Sequence, residues 1–217
     1  MTTSMRFGAR GRLGAVVVGL CLALFSSTAG AGLQAWVLDV VDGDTIVLKG
    51  GERVRYRDID APEVPGADGP GMPFGPEAAR RNRELVQKRF VRLEVDRADL
   101  RDRYGRLLAR VFLHDGRSVA GILVGEGLAW VCPGVRGAGA DRDLLATQGR
   151  AIEARRGIWS LRTVAVEPYY IGNRGSFRFH RPHCPSAREI ARGNRVIFQT
   201  RLQAFSQGYC GCRRCQP

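Results

Sequence analysis

The sequence predicts an α+β chain: a five-stranded OB-fold β-barrel with three helices, followed by a small α+β domain. Three observations carry this. Five short runs of alternating apolar residues fall within residues 35–113, bounded by turn-forming residues. Helical stretches stand near each end of that set, which suits an OB barrel. After Pro168 the composition shifts to aromatics, arginines and cysteines, which marks a separate unit.

Residues 1–31 precede the fold. Arg6, Arg10 and Arg12 form a basic start, 13–25 is an apolar run too short for a comfortable membrane span, and 26–31 ends in an Ala-x-Ala pattern. A signal peptide cleaved near Ala31 is expected, with an uncleaved anchor as the competing reading. Export would place the mature chain in the periplasm or outside the cell, where disulfides form.

Residues 35–41 alternate imperfectly as a first strand. Residues 45–49 are its hairpin partner across Asp42-Gly43, where glycine supplies a positive φ and aspartate tolerates the turn. A turn at 49–52 leads to a third strand, 53–59. Residues 64–74 are rich in Gly and Pro and form a loop. Gly75-Pro76-Glu77 opens a helix running to about residue 89, with proline in its first turn. Val91, Leu93 and Val95 alternate as a fourth strand, and residues 107–113 form the fifth. A short helix spans 118–127. A third runs from the N-cap Asp141 to Arg156, where Gly157 stops it. The barrel domain is assigned to 32–161, a linker to 162–169 and the second domain to 170–217.

The chemistry concentrates in Asp42-Gly43-Asp44-Thr45 and in Arg55 to Glu63. A turn accounts for Asp42 and Gly43, but not for Asp60 and Glu63 flanking a proline just after a strand that carries Arg55. Carboxylates held close together repel unless a cation lies between them. Hard oxygen ligands suit Ca²⁺ or Mg²⁺, and an arginine fork beside such a cation matches a phosphate. A cation, an arginine and a spare carboxylate together read as phosphoryl-ester chemistry. The 217-residue chain has a formal net charge of +13, almost all of it arginine, with lysine only at Lys49 and Lys88. Such a surface attracts polyanions, although an arginine-rich genome produces the same excess.

With Asp102-Arg103-Tyr104-Gly105-Arg106 ahead of the fifth strand, the stretch from about Gly32 to Leu161 resembles the staphylococcal nuclease family. Three blocks carry the likeness, in order: Asp-Gly-Asp-Thr at 42–45, Arg55 with Asp60, Pro62 and Glu63, and Asp102 to Arg106. The resemblance implies a calcium-dependent nuclease. Asp44, Asp60 and the Ala61 carbonyl would hold Ca²⁺, Glu63 would orient or deprotonate the attacking water, and Arg55 and Arg106 would grip the phosphate. Tyr104 would stand beside the substrate phosphate, and cleavage would leave a 3′-phosphate and a 5′-hydroxyl. The chain departs from the family at Cys132-Pro133-Gly134-Val135, where the prototype has a pair of tyrosines.

In the tail, His180-x-x-x-Cys184 and Cys212-x-x-Cys215 are ligand pairs with zinc-site spacing. A helix at 186–192 and a strand at 196–199 are predicted between them. The competing reading is disulfides among Cys184, Cys210, Cys212 and Cys215. Cys210 and His183 are further ligand candidates. Cys132 is either a buried thiol or a partner for Cys210. Residues 170–217 also resemble the metal-binding domain of Ada-type alkylation-repair proteins, through Tyr170-Ile171-Gly172-Asn173, Phe179-His180-Arg181, Cys184-Pro185, Asn194 to Phe198 and Gly208-Tyr209. His180 stands where those proteins carry the methyl-accepting cysteine, so the resemblance implies a structural Zn²⁺ module without methyl transfer.

The expected protein is thus an exported Ca²⁺-dependent nuclease with a zinc module, acting on DNA, RNA or both as a monomer, with no membrane in the mature form. Two rivals stand beside it: a non-catalytic nucleic-acid-binding OB protein, and a zinc-dependent repair or regulatory protein. The tail is expected to be separable, so that its loss leaves the barrel's calcium site formed.

Overall fold

A computed structural model describes Met1 and residues 32–66, 69–134, 139–161 and 166–217. The expected signal peptide and residues 162–165 of the expected linker lie outside the described residues. Among the described residues no helix is long and apolar enough to cross a membrane.

Strands β1 (Leu33–Val40), β2 (Thr45–Leu48) and β3 (Arg53–Tyr56) form a meander. The two-residue β4 (Ile59–Asp60) follows, then helix α1 (Gly75–Val86), β5 (Phe90–Val95) and β6 (Leu107–Phe112). The five longer strands close into a barrel in the order β1-β2-β3-β6-β5, with β3 and β6 parallel and the other pairs antiparallel. This is the predicted five-stranded barrel. Its inward side chains follow the period of two: Val37, Ile46, Val54, Val91, Leu93, Ala109 and Val111 are all buried.

Helices α2 (Val119–Gly125) and α3 (Arg142–Glu153) complete the expected three. Their starts are local chemistry. The Ser118 hydroxyl accepts from the Gly121 N–H, and the Asp141 carboxylate from the N–H groups of Asp143 and Leu144. Between α2 and α3, β7 (Trp130–Val131) pairs antiparallel with β4.

Two features differ from the sequence reading. The third strand does not run unbroken to residue 59. Asp58 adopts φ 68°, a left-handed conformation that aspartate tolerates, so Ile59 and Asp60 leave the barrel and join β7. The Asp58 side chain is bound by Arg110, with Nη2 3.0 Å from Oδ2, and its carbonyl accepts from the Cys132 N–H at 2.8 Å. Asp58 is a structural corner. Gly43 does not take the positive φ that its turn suggested. Its role is close approach: a Cβ there would lie 2.6 Å from the Ala61 Cβ and 2.8 Å from the Ala78 Cβ.

The tail contains β8 (Tyr170–Asn173), β9 (Arg178–His180), a one-turn α4 (Pro185–Arg188), β10 (Arg195–Phe198), α5 (Arg201–Ser206) and β11 (Cys210–Gly211). The strands form a separate sheet in the order β10-β8-β9-β11. The helix predicted at 186–192 is shorter and begins at Pro185, while the predicted strand at 196–199 is β10.

The tail's aromatic core is not its own alone. Tyr170, Phe179, Phe198, Phe205 and Tyr209 cluster, and Trp130, Ile152 and Trp159 of the first unit pack against them. Phe205 meets Trp159 edge-on at 5.1 Å and Phe179 at 5.0 Å. Buried Gln148 on α3 accepts from the Val131 N–H and donates to the Phe205 carbonyl at 2.8 Å. Cys132 and Cys210 form a disulfide across 78 residues, which resolves the two readings of Cys132. A covalent bond, an aromatic cluster and a buried amide thus join the tail, expected to be separable, to the barrel unit. Replacing both cysteines by alanine is expected to lower the unfolding free energy by about 2–4 kcal/mol. Chemical denaturation of parent and variant tests this, and an unchanged midpoint would refute it.

Candidate active site and metal centre

The carboxylates gather where β2, β3 and β4 meet. Asp44 precedes β2, Arg55 lies in β3, and Asp60 ends β4; all three are buried. Arg55 spans the two acids. Its Nη1 is 2.8 Å from Asp44 Oδ2, its Nη2 is 2.5 Å from Asp60 Oδ1, and Nη1 also donates to the Tyr56 carbonyl. The Ala61 N–H donates to Asp44 Oδ2 at 2.6 Å, which ties the residue after Asp60 to the turn. Burial pushes the Asp44 carboxyl up to about 8, against the attraction of Arg55 and with the charges of Asp42 and Asp60 adding to the rise. The two buried acids thus share the Arg55 guanidinium.

Helix α1 braces this cluster. The Tyr56 hydroxyl donates to Asn82 Oδ1 at 2.7 Å, and Asn82 Nδ2 donates to the Asp42 carbonyl at 3.0 Å. Gly75 lets the start of the helix meet the loop after Asp60, since a Cβ there would lie 2.1 Å from the Glu63 carbonyl oxygen. That carbonyl also accepts from the Met72 N–H. The Glu63 backbone is thus fixed while its side chain is exposed at the rim. Desolvation raises the Glu63 carboxyl; Arg213 and Arg55 pull it down, while Asp60 and Asp42 push it up.

Arg106 approaches from the turn before β6. Its Nε donates to Asp102 Oδ2 at 2.7 Å, and its Nη1 reaches the Thr45 hydroxyl at 3.4 Å. Thr45 in turn donates to Asp44 Oδ1. Burial acts to raise the Asp102 carboxyl, but the hydrogen bonds from Arg106 and from the N–H groups of Tyr104 and Arg106 outweigh it and hold it low. Tyr104 is exposed, with its ring beneath the guanidinium groups of Arg103 and Arg106. Arg57 faces Asp99 and Asp96 at 3.4 and 3.5 Å.

Asp44, Arg55, Asp60 and Ala61 therefore form one cluster, Arg106 joins it through Thr45, and Glu63 stands at its rim. One residue escaped the sequence reading as part of this site. Arg213, from the tail, places Nη2 2.9 Å from Asp60 Oδ1. In sequence it is one of five tail arginines, with Arg174, Arg178, Arg181 and Arg214, open to phosphate contact on a long duplex, and nothing there marks it as a neighbour of Asp60.

The second centre lies in the tail. Ligand atoms of His180, Cys184, Cys212 and Cys215 all fall within 4.8 Å of one another, and Cys184 Sγ is 3.5 Å from His180 Nδ1. The three cysteines are free thiols. Cys210 is taken by its disulfide, and His183 is outside the group. Burial, then the charge of Arg178, lowers the His180 pKa. Burial pushes the Cys215 thiol up; at Cys184 burial acts in the same direction but is outweighed by hydrogen bonds from Cys215 and from the Ser186 and Ala187 N–H groups. Three packed thiols cannot all ionise without a cation among them, and the one-imidazole, three-thiolate set is a tetrahedral zinc donor set.

Comparison with known proteins completes the description. Residues 53–161 match the family model described as staphylococcal nuclease homologue, a span that holds Arg55, Asp60, Ala61, Glu63 and Arg106, with Asp44 just outside it. Endonuclease YncB of Bacillus subtilis is 47% identical over 94 residues, 42% of this chain and 44% of that protein. Protein ParB of Escherichia coli is 36% identical over 161 residues, 69% of this chain and 85% of that protein. A micrococcal nuclease of Shigella flexneri is 32% identical over 148 residues, 63% of this chain and 79% of that protein. The chain spans less than half the length of the two Bacillus subtilis relatives it matches.

Proposed function

Because the chain belongs to the staphylococcal nuclease family, we propose that it is a Ca²⁺-dependent endonuclease. It cleaves phosphodiester bonds of DNA, RNA or both to leave 3′-phosphate ends, and it carries a structural zinc module. The observation that carries this reading is the bridging of buried Asp44 and Asp60 by Arg55, with Ala61 bound to the same carboxylate.

The donor set fits the ion. Asp44, Asp60 and the Ala61 carbonyl offer only oxygen, which suits Ca²⁺ over softer metals. When bound, the ion supplies polarisation of a phosphate oxygen and part of its charge neutralisation. The remaining roles belong to the chain's own side chains. Glu63, on the rim with its pKa raised, orients a water and accepts its proton. Arg55 and Arg106 donate N–H groups to the phosphate oxygens as negative charge accumulates on them. Tyr104 lies beside Arg106, and the two line a cleft together with Arg55.

In the tail, His180, Cys184, Cys212 and Cys215 would hold Zn²⁺, with His180 in the neutral form that ligates. The likeness to the Ada-type domain supports a structural role, since an imidazole replaces the methyl-accepting thiolate. The Ala-x-Ala leader supports export to the periplasm or beyond, and the mature protein is taken as a monomer.

The test is cleavage of plasmid DNA and of RNA by the full mature chain, with Ca²⁺, with Mg²⁺ and with a Ca²⁺-selective chelator. Cleavage in Ca²⁺ that stops in chelator is expected; unchanged cutting in chelator would overturn the calcium mechanism. Elemental analysis is expected to find one zinc per chain, while its absence would remove the zinc module. Because a structural zinc contributes folding free energy directly, Cys215→Ser is expected to unfold the tail, read as lost protection of its amides from exchange.

A further inference from the structure

The contact between Arg213 and Asp60 joins residues 153 apart in sequence. Asp60 Oδ1 already receives Arg55 at 2.5 Å and takes Arg213 at 2.9 Å. About half of the Arg213 side chain remains exposed (47%), although its partner is buried. A guanidinium with one N–H on a carboxylate keeps further donors for a second oxygen acid. Those donors face a cleft of about 620 Å³. The barrel unit lines it with Arg57, Tyr104 and Arg106, and the tail with Arg178, Arg213 and Arg214.

Arg213 is held from both sides. It sits between two residues of the His180, Cys184, Cys212, Cys215 group. Three residues earlier, Cys210 is bonded to Cys132. Cys132 follows β7, and β7 pairs residue for residue with β4, where Trp130 faces Asp60. One strand pairing, one disulfide and three residues of chain therefore separate the strand of Asp60 from Arg213. Strand β11 lies parallel to β9, and Arg178 Nη1 donates to the Gly211 carbonyl at 2.9 Å, which fixes the second tail arginine against the same segment. A guanidinium supported in this way is preorganised at little further entropic cost.

We propose that the tail completes the substrate cleft, with Arg213 a substrate-binding residue that grips a backbone phosphate of the bound strand. This rests on the nuclease reading of the Asp44–Arg55–Asp60 cluster. The Cys132–Cys210 bond and the Cys/His group position Arg213, so the zinc module serves the barrel's reaction through it.

The test uses the full mature chain and its Arg213→Ala, Arg213→Lys and Arg192→Ala variants. Arg192 is an exposed tail arginine that does not line the cleft. Binding of a fluorescent single-stranded oligodeoxynucleotide is followed by anisotropy in chelator, over a range of salt, and cleavage of the same strand is followed in Ca²⁺. Arg213→Ala is expected to weaken binding roughly ten-fold or more. It is also expected to reduce the slope of log affinity against log salt by about 0.7, the value for one phosphate contact on a single strand. Arg213→Lys is expected to restore the slope, and Arg192→Ala to match the parent. Unchanged binding and slope in Arg213→Ala, with an active parent, would overturn the proposal and leave the nuclease reading standing. Faster cleavage by Arg213→Ala would overturn it in favour of an inhibitory plug. A parent that neither binds nor cuts the strand would overturn the nuclease reading itself, and this proposal with it.

Discussion

Arg55→Ala is expected to lose stability and activity together. The guanidinium lies 2.8 Å from Asp44 and 2.5 Å from Asp60, and both acids are buried. Its removal leaves two inward carboxylates with Arg213 on one of them, and breaking a buried pair in this way costs about 3–5 kcal/mol. The sign of the pH dependence follows from the same geometry. Burial already raises the Asp44 carboxyl, and Arg55 opposes that rise. Without Arg55 the folded-state pKa of Asp44 moves further above its unfolded value. The variant's deficit is then smallest where folded Asp44 is protonated in both proteins, and grows as pH rises through about 8, the folded value with Arg55 present. Denaturation at several pH values measures this; a deficit independent of pH would refute it. At a temperature where the variant is still folded, turnover is expected to fall by roughly 10²–10³, the cost of losing one donor to the transition-state charge.

Glu63→Gln is expected to cut turnover by about 10²–10⁴ with little change in stability, within about ±0.5 kcal/mol. The reason is its placement. The Glu63 backbone is fixed by the Met72 hydrogen bond and the close pass of Gly75, but its side chain is at the rim and outside the Arg55 bridge. Glutamine keeps the shape and loses only the ability to take a proton. Calcium affinity, measured calorimetrically, is expected to stay near the parent's. If Glu63→Gln instead abolished calcium binding, the carboxylate would be a ligand and its assignment as base would be wrong.

The barrel was legible because its signals are local. Alternation marks β1, β2, β5 and β6 within a few residues each, and the Ser118 and Asp141 caps act over two or three positions. The acids that meet at Arg55 were legible for the same reason: they lie in two short blocks joined by a hairpin. Other features became visible only once the chain was folded. The left-handed corner at Asp58 takes Asp60 out of the barrel and onto β7 because that edge offers backbone partners, and no alternation pattern encodes such an exchange. Gly43 needed its neighbours Ala61 and Ala78 before close approach, not turn geometry, emerged as its reason. Two readings of Cys132 stood until its Cα came within 5.1 Å of that of Cys210. Arg213 is the extreme case. Among the 34 basic residues of the chain, nothing in its flanking sequence distinguishes the guanidinium that will meet Asp60. Coulomb attraction depends on distance in space, and only packing Trp130 and Trp159 against the tail's aromatics brings that distance to 2.9 Å.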